Sequence, residues 1–470
     1  MQKNEIIRLR IEELNHLGNG LAHACNADGS RGIAVFVQNA VPGDLLDARV
    51  IKVNKNYLVA RIERLLEPSP MRIEESFCAA SGCGGCVYRH LRYESELQSK
   101  REQVKNAFRR AGLSQVDVEE VRHTGKTDRY RNKAQYPVGN GKEGMVFGFY
   151  ASSSHRIVSF SDCRLQPPLF QDIAREVCAF CDAKGIRAYE EESGRGLLRH
   201  IYLREGRVTG EIMLCLVVNG ERLPHEEELV ARLTSRFAQI RGILLNTNTA
   251  NTNVVLGKKY RTLFGAEKIE DELCGLRFAI SAGSFYQVNH DACELLYGLA
   301  RERAGLSGKE TLLDLYCGIG TIGLSMARDA REVIGVEIVE EAVRCASENA
   351  KRNGIENAHF YCGDASDARR LLTAAEEAHG ALEPSDTVVI LDPPRKGSTP
   401  ELITYLSERN FEQVVYISCN PETLARDCAI FKEYGYDIGT VTPVDLFPRT
   451  GHVESVVCLT RRLDNELPLA

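Results

Sequence analysis

From Thr311 onward apolar runs alternate with helix-length stretches, the runs being Thr311 to Tyr316, Glu332 to Ile338, His359 to Gly363, Thr387 to Asp392 and Gln413 to Ser418. That alternation reads as repeated βα units feeding a parallel sheet. Two last strands, near Asp437 to Val444 and His452 to Thr460, have no helix-length sequence between them, so they form a hairpin and one of them runs antiparallel. The expected fold class is α/β, with a Rossmann-like sheet in the C-terminal part of the chain.

The sequence before Thr311 follows other rules. Ile6 to Ile11, Ile33 to Val37, Leu45 to Val53 and Tyr57 to Ile62 are strand-like runs, separated by the turn signals Gly18-Asn19-Gly20, Asp28-Gly29 and Val41-Pro42-Gly43-Asp44. Short strands at this density within residues 1–66 predict a small β-barrel, which Pro68 and Pro70 end. A cysteine-bearing segment, Cys78 to Cys86, comes next. Tyr93 to Ala111 then places Leu97, Val104, Ala107 and Phe108 near helical spacing, with Gly112 as the stop. Residues 126 to about 280 mix strands and helices in a central α/β domain.

A chain of 470 residues exceeds the span of one hydrophobic core, so two or three domains are expected. Its 43% hydrophobic and 26% charged residues exclude a fibrous, collagen-like or largely disordered chain. The first residues lack the apolar core and cleavage site of a secretory signal, and no stretch approaches the ~20 apolar residues of a membrane span. The expectation is a cytoplasmic location and no membrane partner. Sixteen cysteines in a reducing compartment are not a disulfide framework, so some should be ligands or catalysts. The net charge of −6 gives no whole-molecule attraction to nucleic acid. A local site stays open, because Lys100 to Lys133 carries ten Lys/Arg against five Asp/Glu. There Lys126, Arg129, Arg131 and Lys133 interleave with Tyr130 and Tyr136, a pattern that suits phosphate contact with base stacking or, equally, a solvated helix and loop face.

In open α/β sheets ligands bind beyond the carboxyl ends of the strands. The first strand ends in Asp314-Leu315-Tyr316-Cys317-Gly318-Ile319-Gly320, a turn whose glycines let backbone approach a ligand. The second ends at Glu337, where a carboxylate can accept hydrogen bonds from both ribose hydroxyls. The third ends at Asp364, placed to contact an adenine edge. Nicotinamide-dependent oxidoreductases use a similar turn and ribose acid, so a dehydrogenase is the alternative; the expectation is S-adenosylmethionine, a nucleoside with an uncharged linker.

The fourth strand ends in Asp392-Pro393-Pro394-Arg395-Lys396-Gly397 and the fifth in Ser418-Cys419-Asn420-Pro421, on the same rim. Asn420 as N-cap and Pro421 at the first helical position predict a helix start. Cys419 then sits by the positive end of that helix, which predicts a thiol pKa lowered from ~8.5 into roughly the 3.5 to 7.5 range; the bland alternative is a small buried hydrophobe. The antiparallel strand opens at His452-Val453-Glu454, so Glu454 reaches the same rim. A thiolate, a carboxylate and a methyl donor suit methylation of carbon 5 of uracil. The thiolate adds to carbon 6 and makes carbon 5 a nucleophile, and the carboxylate later removes the carbon 5 proton. The base must leave its stack to reach both.

These residues resemble the RNA uracil-C5-methyltransferases that carry an N-terminal TRAM domain, most of all the ribosomal RNA members. The resemblance covers essentially the whole chain. It rests on Val41-Pro42-Gly43-Asp44, Cys83-Gly84-Gly85-Cys86, Arg129-Tyr130-Arg131-Asn132-Lys133, Phe285-Tyr286-Gln287-Val288-Asn289 and the DLYCGIG, DPPRKG, SCNP and HVE runs. It implies an OB-like TRAM domain at 1–66 that assists RNA binding, a central domain at 67–280 whose helix 93–112 packs on the catalytic domain, and a seven-stranded class I methyltransferase domain at 281–470. It implies Cys419 as nucleophile, Glu454 as proton acceptor, and a cofactor site including Gln287, Tyr316, Glu337 and Asp392, to which the strand argument adds Asp364. It also implies a [4Fe-4S] cluster on Cys78, Cys83, Cys86 and Cys163, although four rather than five residues separate Cys78 from Cys83. From the residues alone zinc is the alternative, and Cys178 and Cys181 read as core. The expected partner is RNA, 23S rRNA first and transfer RNA second, with no obligate protein partner; a non-catalytic RNA-binding module is the reading from a different class.

Overall fold

The computed structural model describes residues 1–25, 30–74, 78–80, 82–152 and 154–462. Its first sheet holds β1 (Ile6–Arg10), β2 (Glu13–Leu14), β3 (Asn19–Cys25), β4 (Arg31–Gln38), β5 (Leu45–Val53) and β6 (Tyr57–Glu67), in the order β1-β5-β6-β4-β3-β2. Leu46, Ala48 and Val50 of β5 are buried while the residues between them are only half-buried, the period of a strand with one face on a core. β2 and β3 were not among the expected strands, since the glycine and alanines of β3 carry little strand signal. The expected turn at Asp28-Gly29 lies outside the described residues. Buried Asp44, in the Val41 to Asp44 turn, accepts hydrogen bonds from Val41 N (2.7 Å) and Ser69 N (2.9 Å) and pairs with Arg72 (2.6 Å), which fixes where the module ends.

After α1 (Tyr93–Arg110) comes a second sheet, built from β7 (Lys133–Gly141), β8 (Gly144–Tyr150), β9 (Ile157–Ser159), β10 (Leu198–Glu205), β11 (Ile212–Val218), β12 (Ile240–Thr247) and β13 (Lys259–Gly265). Its order is β13-β12-β11-β10-β7-β8-β9, with only β11 and β12 parallel. Helices α2 (Pro168–Ala183) and α3 (Glu226–Arg236) pack their apolar sides on it, and Cys178 and Cys181 of α2 are part of that core. A hairpin, β14 (Lys268–Leu273) and β15 (Leu276–Ser281), leads to the third sheet.

The third sheet comprises β16 (Thr311–Asp314), β17 (Glu332–Glu337), β18 (Ala358–Cys362), β19 (Thr387–Leu391), β20 (Gln413–Ser418), β21 (Tyr436–Ile438), β22 (Thr442–Val444) and β23 (Glu454–Arg461). The order is β18-β17-β16-β19-β20-β23-β21, with β22 also on β23; β16 to β20 are mutually parallel and β23 runs antiparallel to β20. The seventh position is thus shared by β21 and β22, because the run expected as one strand breaks at Gly439 to Val441. Helices α4 (His290–Ala304), α5 (Thr321–Met326), α6 (Glu340–Arg352), α7 (Ala368–His379), α8 (Pro400–Glu408) and α9 (Pro421–Glu433) flank the sheet. Every residue of β16 and β19 is buried, as covered parallel strands require. Among the described residues no helix is long and apolar enough to cross a membrane.

Two contacts tie the earlier parts to this sheet. Val104, Ala107 and Phe108 of α1 share a core with Leu424 and Phe431 of α9. On its buried side, Lys100 Nζ donates to Glu96 (2.8 Å), Asp445 (2.7 Å) and the Phe447 carbonyl (3.1 Å), holding the loop before β23 against α1. The second contact is the segment 129–132. Tyr130 Oη donates to the Pro448 carbonyl (2.9 Å), and Asn132 donates to the carbonyls of Val288 (2.9 Å, from N) and Gln287 (3.0 Å, from Nδ2). Tyr130 and Tyr136 are buried, so they are not base-stacking platforms. The basic and aromatic run is a brace between the central and C-terminal parts; residue spacing alone carries no sign of which side faces inward.

Candidate active site

Strand ends and the loops after them line one cavity of about 590 Å³. Gly318 and Gly320, at φ +55° and +84°, turn the chain sharply after β16. Gly318 N donates to one oxygen of Glu337 (3.2 Å), and the other oxygen accepts from Val339 N (2.8 Å), which holds the carboxylate at the end of β17. Gln287, Tyr316, Glu337, Asp364 and Asp392 all line this cavity, together with Cys419 and Glu454. Every sequence-predicted residue of the cofactor and chemical sites therefore faces one space. Gly318, Gly320 and Gly323 keep the full G-x-G-x-x-G spacing, so the glycines themselves do not separate S-adenosylmethionine from a dinucleotide; the residues around them must.

The electrostatics differ from the expectation for Cys419. Asn420 does cap α9, its side chain accepting from Glu422 N (3.1 Å), with Pro421 in the first turn. Yet burial, then the nearby Glu454 and Asp392, push the thiol up to about 11, with Arg395 acting in the opposite direction. The lowered pKa read from the helix start is corrected: desolvation and two carboxyls outweigh the helix end. Glu454 is buried and pushed up to about 8 by that burial and by Asp392, again opposed by Arg395. Asp392 is raised to about 7 by desolvation and by Asp314, and buried Asp314 is likewise raised to about 7, one oxygen accepting from Gly323 N (3.1 Å).

A second cavity, of about 570 Å³, lies between the N-terminal sheet, α1 and the start of α9. Asn15, His16 and Phe36 line it from one side and Gln103 and Arg110 from another. Cys419, Arg395 and His452 line both cavities, so the sulfur stands at the passage between them. Arg395 Nη2 lies 3.3 Å from His452 Nε2. Burial first, then Arg395, pushes His452 down to about 4, so near neutrality its ring is uncharged and can accept from the guanidinium. Neither residue was singled out from the sequence, although both stand inside the DPPRKG and HVE runs; Phe447, also lining the first cavity, carries no local signal.

Cys78, Cys83, Cys86 and Cys163 line a separate space of about 190 Å³ with Arg131, Phe149 and Phe160. Ala80 N donates to the sulfur of Cys78 (3.4 Å) and Gly85 N to that of Cys83 (3.5 Å). Arg131 Nε is buried there and, among the described residues, has no hydrogen-bond partner. The half-buried Arg131 side chain thus shares this space with all four cysteines.

A sequence profile described as tRNA (Uracil-5-)-methyltransferase matches residues 92–462, and one described as TRAM domain matches residues 2–62. The chain belongs to the uracil-5-methyltransferase family. Similar proteins include an uncharacterized RNA methyltransferase of Halalkalibacterium halodurans, 41% identical with 98% of each chain covered. Another, of Clostridium acetobutylicum, is 39% identical over 98% of each chain. Among solved structures the tRNA (uracil-54, C5)-methyltransferase of Pyrococcus abyssi, in complex with S-adenosyl-L-homocysteine, matches at TM-score 0.74 and 27% identity, covering 96% of this chain and 99% of that one. The chain is thus an S-adenosylmethionine-dependent RNA methyltransferase with a TRAM domain, and the dehydrogenase and non-catalytic alternatives fall away.

Proposed function

We propose that this chain methylates carbon 5 of a uridine in 23S rRNA by covalent catalysis from Cys419. The supporting observation is the cavity that the Cys419 thiol and the Glu454 carboxyl share with the strand-end acids. Cys419 Sγ, as thiolate, bonds to carbon 6, and the electron pair of the C5–C6 double bond moves onto carbon 5 and the carbon 4 oxygen. S-adenosylmethionine would supply the methyl group that carbon 5 takes, its S–CH3 bond breaking to leave the neutral thioether S-adenosylhomocysteine, and Gln287, Tyr316, Glu337, Asp364 and Asp392 would hold the donor. Ionised Glu454 then accepts the carbon 5 proton, the S–C6 bond breaks, and the double bond returns. The target base comes from the second cavity, where residues of the TRAM module line the approach to Cys419. We put the reaction in the cytoplasm, where thiols stay reduced.

Cys78, Cys83, Cys86 and Cys163 would hold a [4Fe-4S] cluster, a reading supported by the space the four line together, the N–H donors to Cys78 and Cys83 and the buried Nε of Arg131. Methyl transfer needs no electrons, so the cluster organises structure. Transfer RNA is the second substrate reading, favoured by the full-length likeness to the Pyrococcus abyssi enzyme. Incubation with labelled methyl donor and unmodified 23S rRNA and transfer RNA, side by side, should label 23S rRNA; label only in transfer RNA establishes the second reading. In the same assay Glu454→Gln should accumulate an RNA adduct on denaturing gels and Cys419→Ala none. Absence of adduct from wild type and both variants would end the covalent route.

A further inference from the structure

Three metal-ligand side chains meet at the open edge of the catalytic sheet, at the strand ends remote from the active site. Glu332 opens β17, His359 is the second residue of edge strand β18, and His379 closes α7. His379 Nδ1 lies 2.9 Å from Glu332 Oε1 and His359 Nε2 lies 3.4 Å from the same oxygen, and the three ligand atoms are all within 4.8 Å of one another. A tetrahedral site with ~2.0–2.1 Å Zn–N and Zn–O bonds has edges of roughly 3.3 Å, which these two separations bracket. From this geometry we infer that Glu332, His359 and His379 form a site for a divalent transition-metal ion of the zinc type.

The surroundings agree with that chemistry. The outer nitrogen of His379, Nε2, is 2.7 Å from Tyr361 Oη, the kind of partner that fixes the tautomer and aim of a metal-bound imidazole. The two rings lie with centroids 4.0 Å apart at 36°, close enough for both to face one ion. Two imidazoles and a carboxylate suit zinc rather than calcium or magnesium. His359 retains 36% side-chain exposure, which leaves the fourth position to water. The ion would fasten the end of α7 to the edge of the sheet. That helix begins four residues after Asp364, so the fastening also steadies the edge of the cofactor cavity.

The test uses full-length protein purified anaerobically, so that the cysteine site keeps its own occupant. After equilibration with zinc and removal of excess by gel filtration, wild type should retain one zinc equivalent that the His359→Ala/His379→Ala double variant loses. Glu332→Gln should lower the affinity at least tenfold, and Tyr361→Phe by about tenfold. Cobalt in place of zinc should give visible ligand-field bands without thiolate charge transfer, which separates this site from the cysteines. Unchanged far-ultraviolet circular dichroism and gel-filtration elution of the Glu332→Gln variant keep misfolding out of the comparison. Equal zinc content in wild type and the double variant, or no zinc in either, overturns the inference.

Discussion

At the scale of single residues the active site is an argument between burial and one cation. On the proposed route Cys419 and Glu454 are both ionised during the cycle, yet desolvation raises both, to about 11 and about 8. Arg395 opposes both shifts, and its position is fixed by hydrogen bonds to its own carbonyl from Asn420 Nδ2 (3.0 Å) and Thr423 Oγ1 (3.4 Å). A cation stabilises the deprotonated forms, so its removal raises both pKa values. The rate of methyl transfer should therefore climb with pH from neutrality to beyond 8. Arg395→Met should move that rising limb to higher pH and cost on the order of 10²-fold near pH 7.5, as loss of a charge-stabilising group does. A pH profile of single-turnover rates decides; an unmoved limb would show that Arg395 plays no electrostatic part. The helix start that placed Cys419 was readable from Asn420 and Pro421, but a helix end contributes only ~0.3–1 kcal/mol. The burial and the two carboxyls that oppose it depend on two other strand ends, β19 and β23, and no local pattern reports them.

At the scale of elements, α1 works as a clamp. Its fully buried Lys100 joins Glu96 to Asp445, Tyr93 Oη also donates to Asp445 (2.8 Å), and the loop so held delivers Phe447 and His452 to the cavity. Lys100→Met should leave buried Asp445 without its cation and Glu96 with only Arg449, 3.6 Å away, and destabilise by about 3–5 kcal/mol. Chemical denaturation measures it, and adding Glu96→Gln should recover part of the loss; a Lys100→Met protein as stable as wild type would mean the triad is dispensable. The sequence showed α1 by the spacing of Val104, Ala107 and Phe108, and it showed the βα alternation for the same reason, because helical and strand periods are local. Lys100 entered that reading only as one of a basic run. Charge counting cannot tell a lysine on the surface from one whose counter-ion lies at position 445, and β3 stayed hidden because glycine and alanine mark no period at all.

At the scale of the whole molecule, the segment 129–132 is where the cysteine site, the central sheet and the active site are mechanically one. Arg129 Nη1 donates to the carbonyls of Cys163 (2.7 Å) and Gln166 (2.8 Å), Arg131 N to that of Leu165 (3.0 Å), and Asn132 to the successive carbonyls of Gln287 and Val288. The order of modules is readable from motifs, but this linkage joins residues far apart in the chain, and the composition of Arg129-Tyr130-Arg131 suits an RNA surface and a solvated face equally. If four thiolates around a cluster balance Arg131, removing the cluster leaves that charge uncompensated and the segment loses an anchor. Oxidative loss of the cluster should then raise amide exchange at 129–132 and at 285–289 together, while β19 and β20, held by the catalytic core, keep their protection. Gln287 lies in the second of those stretches, so methyl-donor affinity should fall in step with the exchange. Exchange that rises only around Cys78 to Cys86 would show that the cluster organises its own loop and transmits nothing to the cofactor cavity.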